Sequence, residues 1–290
     1  MVVVIVGATG IGKTKLSIEL AKKINGEIIN ADSTQVYKGL DIATAKIKDS
    51  EKEGIPHHLF DIKDINYNYT VYDYQKDARK KIDEILKRGK TPILVGGTGF
   101  YIKACLYNYS FNETVTNTNY EGVDTDILYS KLLEIDKCTP IHKNNRKRII
   151  RALNYYNDTN KSINDKEKSN KLLYDAIFIG LRTDREKLYE IINKRVDIMV
   201  KNGLLDEALK IYESNIRTKA VLTPIGYKEL FNYFEGKDSL DNCLEKIKQS
   251  SRKYAKRQDT WNKNQFDVNW ISVDFNDFNN TVNEALKLIK

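Results

Sequence analysis

The chain has 290 residues, of which 41% are hydrophobic and 30% are charged, a composition typical of a folded globular protein and not of a disordered one. Because it contains no run of about 18 or more apolar residues, we expect no transmembrane helix and no membrane partner. The formal net charge of +8 favours a polyanionic partner without identifying it. Cys105, Cys138 and Cys243 lack the spacing of a zinc site or a disulfide framework, so we expect a reducing, cytoplasmic setting.

The first hundred residues alternate between short apolar runs and amphipathic stretches. The runs predict buried strands, and the stretches predict helices because their apolar side chains recur every three to four residues. In chain order we predict a strand over Val2 to Val6, a helix over Thr14 to Asn25, a strand over Glu27 to Asn30, a helix over Val71 to Arg88, a strand over Pro92 to Val95 and a helix from about Phe100. This order predicts a parallel α/β sheet covered by helices on both faces.

The alternation breaks near residue 108 and resumes near residue 173. The intervening segment is polar at first, contains two helical patterns over Asp126 to Ile135 and Asn145 to Tyr156, and ends in a run rich in lysine and asparagine. Asp175 to Leu181 then has the pattern of another buried strand. We therefore predict a core formed by residues 1–107 and 173–290, interrupted by a small helical insertion domain over residues 108–172.

The remainder of the chain is predicted to be mostly helical. Asp184 is placed as the N-cap of a helix that carries an apolar stripe and ends at Gly203. Thr223–Pro224 is predicted to start another helix, with proline in its first turn. A long basic helix is predicted from Leu240 to about Trp261, and a last strand over Trp270 to Val273.

The clearest chemical motif is a phosphate-binding loop, or P-loop, of the form G-x-x-x-x-G-K-[ST] between the first strand and the first helix. Its glycines let the backbone wrap around phosphate oxygens, and the N–H groups of a helix N-terminus attract an anion. Lys13 is placed to neutralise phosphate charge, and the Thr14 hydroxyl is a ligand type that suits Mg²⁺. The motif predicts a P-loop NTPase-like sheet, but it leaves open NTP hydrolysis, phosphoryl transfer or release of a diphosphate. The residues of the motif are Gly7, Ala8, Thr9, Gly10, Ile11, Gly12, Lys13 and Thr14.

A second candidate site follows the second predicted strand. Asp32 and Ser33 lie at the edge where open α/β sheets bind their ligands. A carboxylate there can bind Mg²⁺ or act as a base. An aspartate that only caps a loop is an equally good interpretation of this segment taken alone.

Further short motifs follow one another from about residue 7 to about residue 261. With the P-loop they are Asp32-Ser33-x-Gln35-x-Tyr37, Gly39–Lys46, Ile55–Leu59, Leu94–Tyr101, Arg148–Leu153, Arg195-Val-Asp197, Gly203–Glu207, Ile225–Glu229 and Lys256–Trp261. In this order the series resembles the tRNA dimethylallyltransferase family. The P-loop departs from the usual family pattern at Ala8 and Gly10, but it keeps Lys13 and Thr14.

The resemblance implies an enzyme that transfers a dimethylallyl group from dimethylallyl diphosphate to tRNA. The acceptor would be the N6 amine of the adenosine 3′-adjacent to the anticodon, and diphosphate would leave. The residues from Gly7 to Thr14 would bind the diphosphate, with Mg²⁺ shared between the diphosphate and Thr14.

The resemblance also implies catalytic roles for four residues. Asp32 would be the general base that accepts a proton as N6 attacks. Lys13 and Arg195 would stabilise the departing diphosphate, although an arginine at the boundary of an apolar helix can also simply reach solvent. Thr98 would bind substrate near the reacting adenosine.

The predicted tRNA-binding residues lie after the second and third predicted strands, in the insertion and in the long C-terminal helix. A side-chain amide can read adenine, which makes Gln35 a candidate. Arginine and lysine crowd residues 146–151 of the insertion, where guanidinium planes can stack on a single-stranded loop. The basic residues of the long C-terminal helix are interpreted as a phosphate-binding surface, and the alternative is that they simply face solvent. The predicted set is Asp32, Ser33, Thr34, Gln35, Thr98, Lys147, Arg148, Ile149, Ile150, Arg151 and Arg257.

Three other functions stay open at this point. A free-nucleotide isopentenyltransferase acting on AMP, ADP or ATP shares the P-loop and Asp32, but it needs neither the basic insertion nor the basic helix. A P-loop kinase for a small molecule would use the insertion as a lid. A non-catalytic RNA-binding P-loop protein would not need Lys13, Thr14 and Asp32 to be intact. In each case we expect a monomer.

Overall fold

The computed structural model describes residues 1–111, 118–163 and 171–289. Parts of the polar stretch near residue 110 and of the lysine- and asparagine-rich run before residue 171 lie outside the described residues. The chain divides into two compact units. One consists of Met1–Tyr107 together with the chain from Leu172 onward, and the other consists of Asn108–Lys171.

The first unit is built on a parallel sheet whose strand order is β3-β2-β4-β1-β5-β6. The strands are β1 (Val2–Gly7), β2 (Gly26–Asn30), β3 (His57–His58), β4 (Thr91–Val95), β5 (Ala176–Arg182) and β6 (Asn269–Ser272). Each neighbouring pair is parallel; Val4, for example, lies between Leu94 of β4 and Phe178 of β5. The predicted parallel α/β fold is therefore confirmed, whereas the two-residue strand β3 was not predicted.

Eleven α-helices occur within the described ranges, and one short 3₁₀ helix spans Asp49–Glu51. The α-helices are α1 (Lys13–Lys23), α2 (Val71–Lys87), α3 (Gly99–Leu106), α4 (Thr125–Ile135), α5 (Arg146–Thr159), α6 (Arg185–Lys201), α7 (Leu204–Glu213), α8 (Lys219–Leu222), α9 (Tyr227–Phe234), α10 (Leu240–Gln265) and α11 (Phe278–Ile289). The predicted helices of the first two hundred residues are confirmed, with small shifts at their ends. Asp184 does occupy the N-cap position of α6, but its side chain makes no capping hydrogen bond.

The prediction of a helix that begins at Thr223–Pro224 was wrong. Helix α8 ends at Leu222, and the next helix begins only at Tyr227, after Gly226 with a φ of +133°. The Glu229 carboxylate accepts the Gly226 N–H at 2.9 Å, so this cap, and not the proline, sets the start of α9.

The core forms two layers, one on each face of the sheet, because successive side chains of a strand point to opposite faces. Val2, Val4 and Val6 of β1 belong to the layer that includes side chains of α2, α3 and α10. Val3 and Ile5 belong to the layer that includes side chains of α1 and α11. Strand β1 is thus buried on both faces, which explains why it appears in the sequence as an unbroken apolar run.

The second unit has an apolar core of its own between α4 and α5. Its buried side chains are Leu128, Leu132, Ile141, Ile149, Ala152 and Leu153. Arg146 serves this unit internally, since its guanidinium donates to the carbonyl oxygens of Val123 at 2.6 Å and Tyr120 at 2.7 Å. None of the helices in the described parts of either unit combines the length and the apolar character that crossing a membrane requires.

Substitution of Gly96 tests the close approach between the chain after β4 and the chain after β2. An alanine Cβ at Gly96 would lie 2.2 Å from the Ala31 carbonyl carbon, and backbone cannot move aside as a flexible side chain can. We expect Gly96→Ala to lower the free energy of unfolding by about 3 kcal/mol or more in chemical denaturation. Gly236→Ala is the control, because that site is open and its φ of +68° should cost only about 1 kcal/mol. Equal losses in the two variants would contradict the backbone contact.

Candidate active site

The P-loop connects β1 to α1. Gly12 has a φ of +103°, in the left-handed region that favours glycine, and α1 begins directly after it. The first N–H groups of α1, with the positive end of the helix dipole, are therefore presented at the loop. The Lys13 ammonium lies inside the loop, where Nζ donates to the carbonyl oxygens of Gly7 at 2.9 Å and Ala8 at 2.8 Å.

The outer side of the P-loop contacts α11, a helix that the sequence patterns did not predict. A Cβ placed on Gly12 would lie 3.2 Å from Cε2 of Phe278. The Lys15 ammonium lies 4.5 Å from the centre of the same ring. Helix α11 thus packs against the P-loop, although the two are far apart in the sequence.

Asp32 lies just beyond β2, with one carboxylate oxygen held and the other available. The Thr34 N–H donates to Asp32 Oδ1 at 2.9 Å, and the Thr34 hydroxyl donates to the same oxygen at 2.7 Å. The Asn30 side chain accepts the Asp32 N–H at 2.9 Å and so fixes the backbone. No hydrogen bond from any described residue reaches Oδ2, which leaves this oxygen able to accept a proton from a bound molecule.

Thr98 joins the chain after β4 to the loop that carries Asp32. Its hydroxyl oxygen accepts the Ser33 N–H at 3.0 Å and donates to Ser33 Oγ at 3.2 Å. Its own N–H donates to the Ala31 carbonyl at 3.0 Å. Thr98 is therefore in position to orient the Asp32 loop from the neighbouring strand.

Two side chains from outside the sheet converge on Thr9 of the P-loop. Arg195 of α6 donates from Nη1 to the Thr9 hydroxyl at 3.0 Å. Gln258 of α10 accepts the Thr9 N–H at 2.9 Å and donates from Nε2 to the Gly97 carbonyl at 3.1 Å. Gln258 therefore connects the P-loop with the chain beside Asp32.

Arg257 was the site residue predicted from this part of α10, whereas Gln258 was not predicted. Gln258 follows Tyr254 by four residues and precedes Trp261 by three, which places it on the same face of α10 as these two aromatic residues. It is 5% exposed. A polar residue on an otherwise apolar helix face indicates a buried hydrogen-bond partner, and this was the signal that could have identified it.

Two cavities meet at these residues. The P-loop cavity has a volume of about 920 Å³ and is lined in part by Gly10, Lys13 and Thr14. The aromatic cavity has a volume of about 610 Å³ and is lined in part by Phe100 and Trp261. Seven residues line both cavities: Thr9, Asp32, Thr44, Gly97, Arg195, Tyr254 and Gln258. The geometry suits a transfer in which an anionic group in one cavity and a flat acceptor in the other both reach Asp32.

The charges around the P-loop perturb each other. Burial, followed by repulsion from Arg195, lowers the pKa of Lys13 to about 7, against a smaller opposing effect of Asp32. Burial also lowers the pKa of Arg195, and Asp32 partly offsets this change. Lys13 is thus only partly protonated near neutral pH until an anion enters the loop.

Most of the predicted tRNA-binding residues of the first unit line the aromatic cavity, whereas Gln35 lines only the P-loop cavity. Gln35 donates from Nε2 to the Thr44 carbonyl at 2.9 Å, which leaves its amide oxygen for a ligand. Arg257 is exposed and lines the aromatic cavity. Along the same helix, Lys246 pairs with Asp238 and Lys248 pairs with Asp197, so part of the predicted basic surface is neutralised by acids from other elements.

The predicted tRNA-binding residues of the second unit fall on two faces of α5, one exposed and one buried. Lys147, Arg148 and Arg151 are exposed on α5. Ile149 has no exposed surface, and Ile150 packs against the same apolar core. The inclusion of the Ile149 side chain in a tRNA-binding surface was therefore wrong, because helical periodicity turns that position inward.

The protein groups available for a metal are few. In the described chain, no three histidine, cysteine, aspartate or glutamate side chains lie together as a metal site would require. Thr14 is exposed and lines the P-loop cavity. A single hydroxyl suits Mg²⁺, which keeps several waters and takes further oxygens from phosphate groups.

Comparison with known proteins places this site in a family. The profile of the IPP transferase family matches residues 35–265. The chain belongs to this family. A tRNA dimethylallyltransferase of Anoxybacillus flavithermus is 49% identical over 100% of this chain and 96% of its own length. The predicted resemblance is thus confirmed.

Solved structures of family members have the same fold. The tRNA delta(2)-isopentenylpyrophosphate transferase of Staphylococcus epidermidis is 43% identical, with a TM-score of 0.76 over 99% of this chain and 98% of its own. A eukaryotic dimethylallyltransferase captured acting on tRNA is 32% identical, with a TM-score of 0.83 over 99% of this chain and 79% of its own.

Anion binding should be coupled to protonation of Lys13. A bound anion raises the pKa of Lys13 above its value of about 7, so binding takes up a proton at about pH 8 and takes up little at about pH 6, where the amine is already protonated. Isothermal titration with inorganic pyrophosphate in buffers of different ionisation enthalpy measures this uptake. Because pyrophosphate itself titrates, Lys13→Met is the control. Equal uptake by both proteins would contradict the assignment.

Proposed function

We propose that this protein transfers a dimethylallyl group from dimethylallyl diphosphate to the N6 amine of the adenosine 3′-adjacent to the anticodon of tRNA. The observation that carries the proposal is the meeting of the P-loop cavity and the aromatic cavity at Asp32. Family membership and relatives that bear the name tRNA dimethylallyltransferase support the same activity.

On the donor side, the P-loop binds the diphosphate through its backbone N–H groups. Lys13 leaves the carbonyl oxygens of the loop and pairs with the anion. Arg195, which donates to the Thr9 hydroxyl of the P-loop, lies beside the bound anion. Thr14 would hold Mg²⁺ together with diphosphate oxygens, and the metal would neutralise charge on the leaving group. Stabilising this charge lowers the barrier to breaking the allylic C–O bond.

On the acceptor side, the adenine leaves its stack and enters the aromatic cavity, since a buried carbon centre cannot be reached from within a stacked loop. N6 forms the new C–N bond, the allylic C–O bond breaks, and Oδ2 of Asp32 takes the proton that N6 loses. Thr34 orients the carboxylate through Oδ1, and Thr98 orients the loop that carries it.

Contacts with the rest of the tRNA are proposed for the exposed cations of both units. Lys147, Arg148 and Arg151 form one group, and Arg257 lies at the wall of the aromatic cavity. Arginine suits this purpose because its planar guanidinium both stacks on bases and binds phosphate.

Free cysteines at positions 105, 138 and 243 accord with a reducing, cytoplasmic setting, which we propose for this protein. We also propose that it acts as a monomer.

The test of the proposed function is transfer of labelled dimethylallyl from its diphosphate, with Mg²⁺, to unmodified tRNA with adenosine next to the anticodon. AMP is offered in parallel. We expect label on tRNA alone, lost when the adenosine is replaced by guanosine. Label on AMP alone would identify a free-nucleotide isopentenyltransferase, and ATP turnover without prenyl transfer would identify a kinase.

Removal of the proposed base should stop the reaction without unfolding the site. Asp32→Asn keeps an oxygen that can accept from Thr34 but loses the oxygen that takes the proton, so we expect turnover to fall by about 10²–10⁴-fold. Binding of tRNA, measured by filter retention, should stay within a few-fold. Asp64→Asn, an exposed aspartate that lines neither cavity, should react at the normal rate. A near-normal rate for Asp32→Asn would show that Asp32 is not the base.

The phosphate role of the insertion predicts a change in salt dependence. Arg148→Ala removes an exposed cation of α5, so tRNA binding should weaken and the slope of log K against log salt should fall by about one. Lys87→Ala removes an exposed lysine at the end of α2 and should leave the slope unchanged. If the slope is the same in the wild type and in Arg148→Ala, this arginine makes no phosphate contact.

A further inference from the structure

The segment from Leu40 to Lys46, called here the 40–46 loop, forms part of the wall of both cavities without belonging to a helix or a strand. Ala43 and Thr44 line the aromatic cavity, and Thr44, Ala45 and Lys46 line the P-loop cavity. A wall made of irregular backbone is only as well placed as the contacts that hold it. What holds this loop therefore matters for both substrates.

One carboxylate from a distant helix holds the middle of the loop. Glu207 of α7 accepts the N–H groups of Asp41 at 3.0 Å and Ile42 at 2.8 Å through Oε2. Through Oε1 it accepts the N–H of Ala43 at 3.0 Å and the hydroxyl of Tyr227 at 2.7 Å. Three consecutive backbone N–H groups thus converge on one anion, as they do in phosphate-binding loops, but here the anion belongs to the protein.

Further hydrogen bonds connect the part of the loop that Glu207 holds to the residues that face the acceptor. The Thr44 hydroxyl donates to the Leu40 carbonyl at 2.6 Å, and the Thr44 carbonyl accepts Gln35 Nε2 at 2.9 Å. The far end of the loop is held by Lys46, whose ammonium donates to the Tyr37 carbonyl at 2.7 Å. Gln35 itself follows Asp32 by three residues, so the loop and the proposed base share one short stretch of chain.

We propose that Glu207 is a positioning residue for prenyl transfer. Its carboxylate fixes the 40–46 loop, and the loop sets where Thr44 and Gln35 stand relative to Asp32 and the incoming adenine. This proposal rests on the proposed function. The P-loop backbone is held separately, by Arg195 and Gln258, so we expect loss of Glu207 to disturb the placement of the acceptor more than the binding of diphosphate.

The test compares Glu207→Gln with the wild-type protein in the tRNA assay. The amide keeps the shape of the side chain but replaces one acceptor oxygen with an NH₂ group, so at least one N–H group of the 40–46 loop loses its acceptor. We expect kcat at saturating tRNA to fall about tenfold or more, because small misplacements of reacting groups are costly. The dissociation constants for tRNA and inorganic pyrophosphate should change by less than about threefold, since their main contacts lie elsewhere.

Glu27→Gln is the matched control. Glu27 is a buried carboxylate, 3% exposed, and it binds Arg88 at 2.7 Å and Lys90 at 2.9 Å while lining neither cavity. This control should lower thermal stability without lowering kcat. Tyr227→Phe removes only the hydroxyl that reaches Glu207 and should lower kcat in the same direction by a smaller factor, which keeps the test valid if Glu207→Gln fails to fold.

The outcomes separate the two proposals. If wild-type protein modifies tRNA and Glu207→Gln and Tyr227→Phe both retain its kcat, Glu207 has no positioning role. If Glu27→Gln loses kcat as strongly as Glu207→Gln, the effect is general destabilisation and the inference is overturned. Hydrogen exchange at Asp41, Ile42 and Ala43 should quicken in Glu207→Gln alone; unchanged exchange would also overturn it. Absence of transfer by the wild type would overturn the proposed function and this inference with it.

Discussion

Adjacent parallel strands that end at one edge of the sheet are the constraint on which the site depends. Strands β2, β4 and β1 are neighbours, so the chain segments that follow them emerge side by side. They carry Asp32, Thr98 and the P-loop, respectively. The contact is close enough for direct hydrogen bonds between these segments, such as that from the Ser33 N–H to Thr98. The proposed base and the P-loop thus become parts of one hydrogen-bonded edge instead of two independent loops.

Helices that lie between β5 and β6 in the sequence complete this edge from outside. Arg195, Glu207 and Gln258 come from α6, α7 and α10, and each bonds to a loop at the carboxyl ends of the strands. Buried polar groups of this kind stabilise only when they are paired, and leaving one partner unpaired costs about 1–3 kcal/mol. The pairing therefore favours one arrangement of the loops over others that would leave donors or acceptors unsatisfied. The positions of the site loops consequently depend on the packing of these helices.

The sequence predicted those features whose signal is local. Each of the following depends on residues within one short window: the five longer strands of the sheet, the glycine-rich turn between β1 and α1, and the amphipathic helices α2 and α6. These predictions were confirmed, whereas the two-residue strand β3 was not predicted. Contacts between distant residues left no such signal: Thr9 and Gln258 are 249 positions apart, and Ile42 and Glu207 are 165 apart. The start of α9 was misplaced because Pro224 is as compatible with a turn as with a first helical turn.

The packing of Phe278 against Gly12 has a consequence for how the protein reaches its working form. The P-loop is synthesised long before α10, which bonds to it, and α11, which packs against it. Contacts over such separations require most of the chain to be present before they can form, which raises contact order and slows folding. The phosphate-binding loop is thus completed late, when the full sheet is in place. A chain still being translated would hold the motif in its sequence long before it held the geometry that binds a substrate.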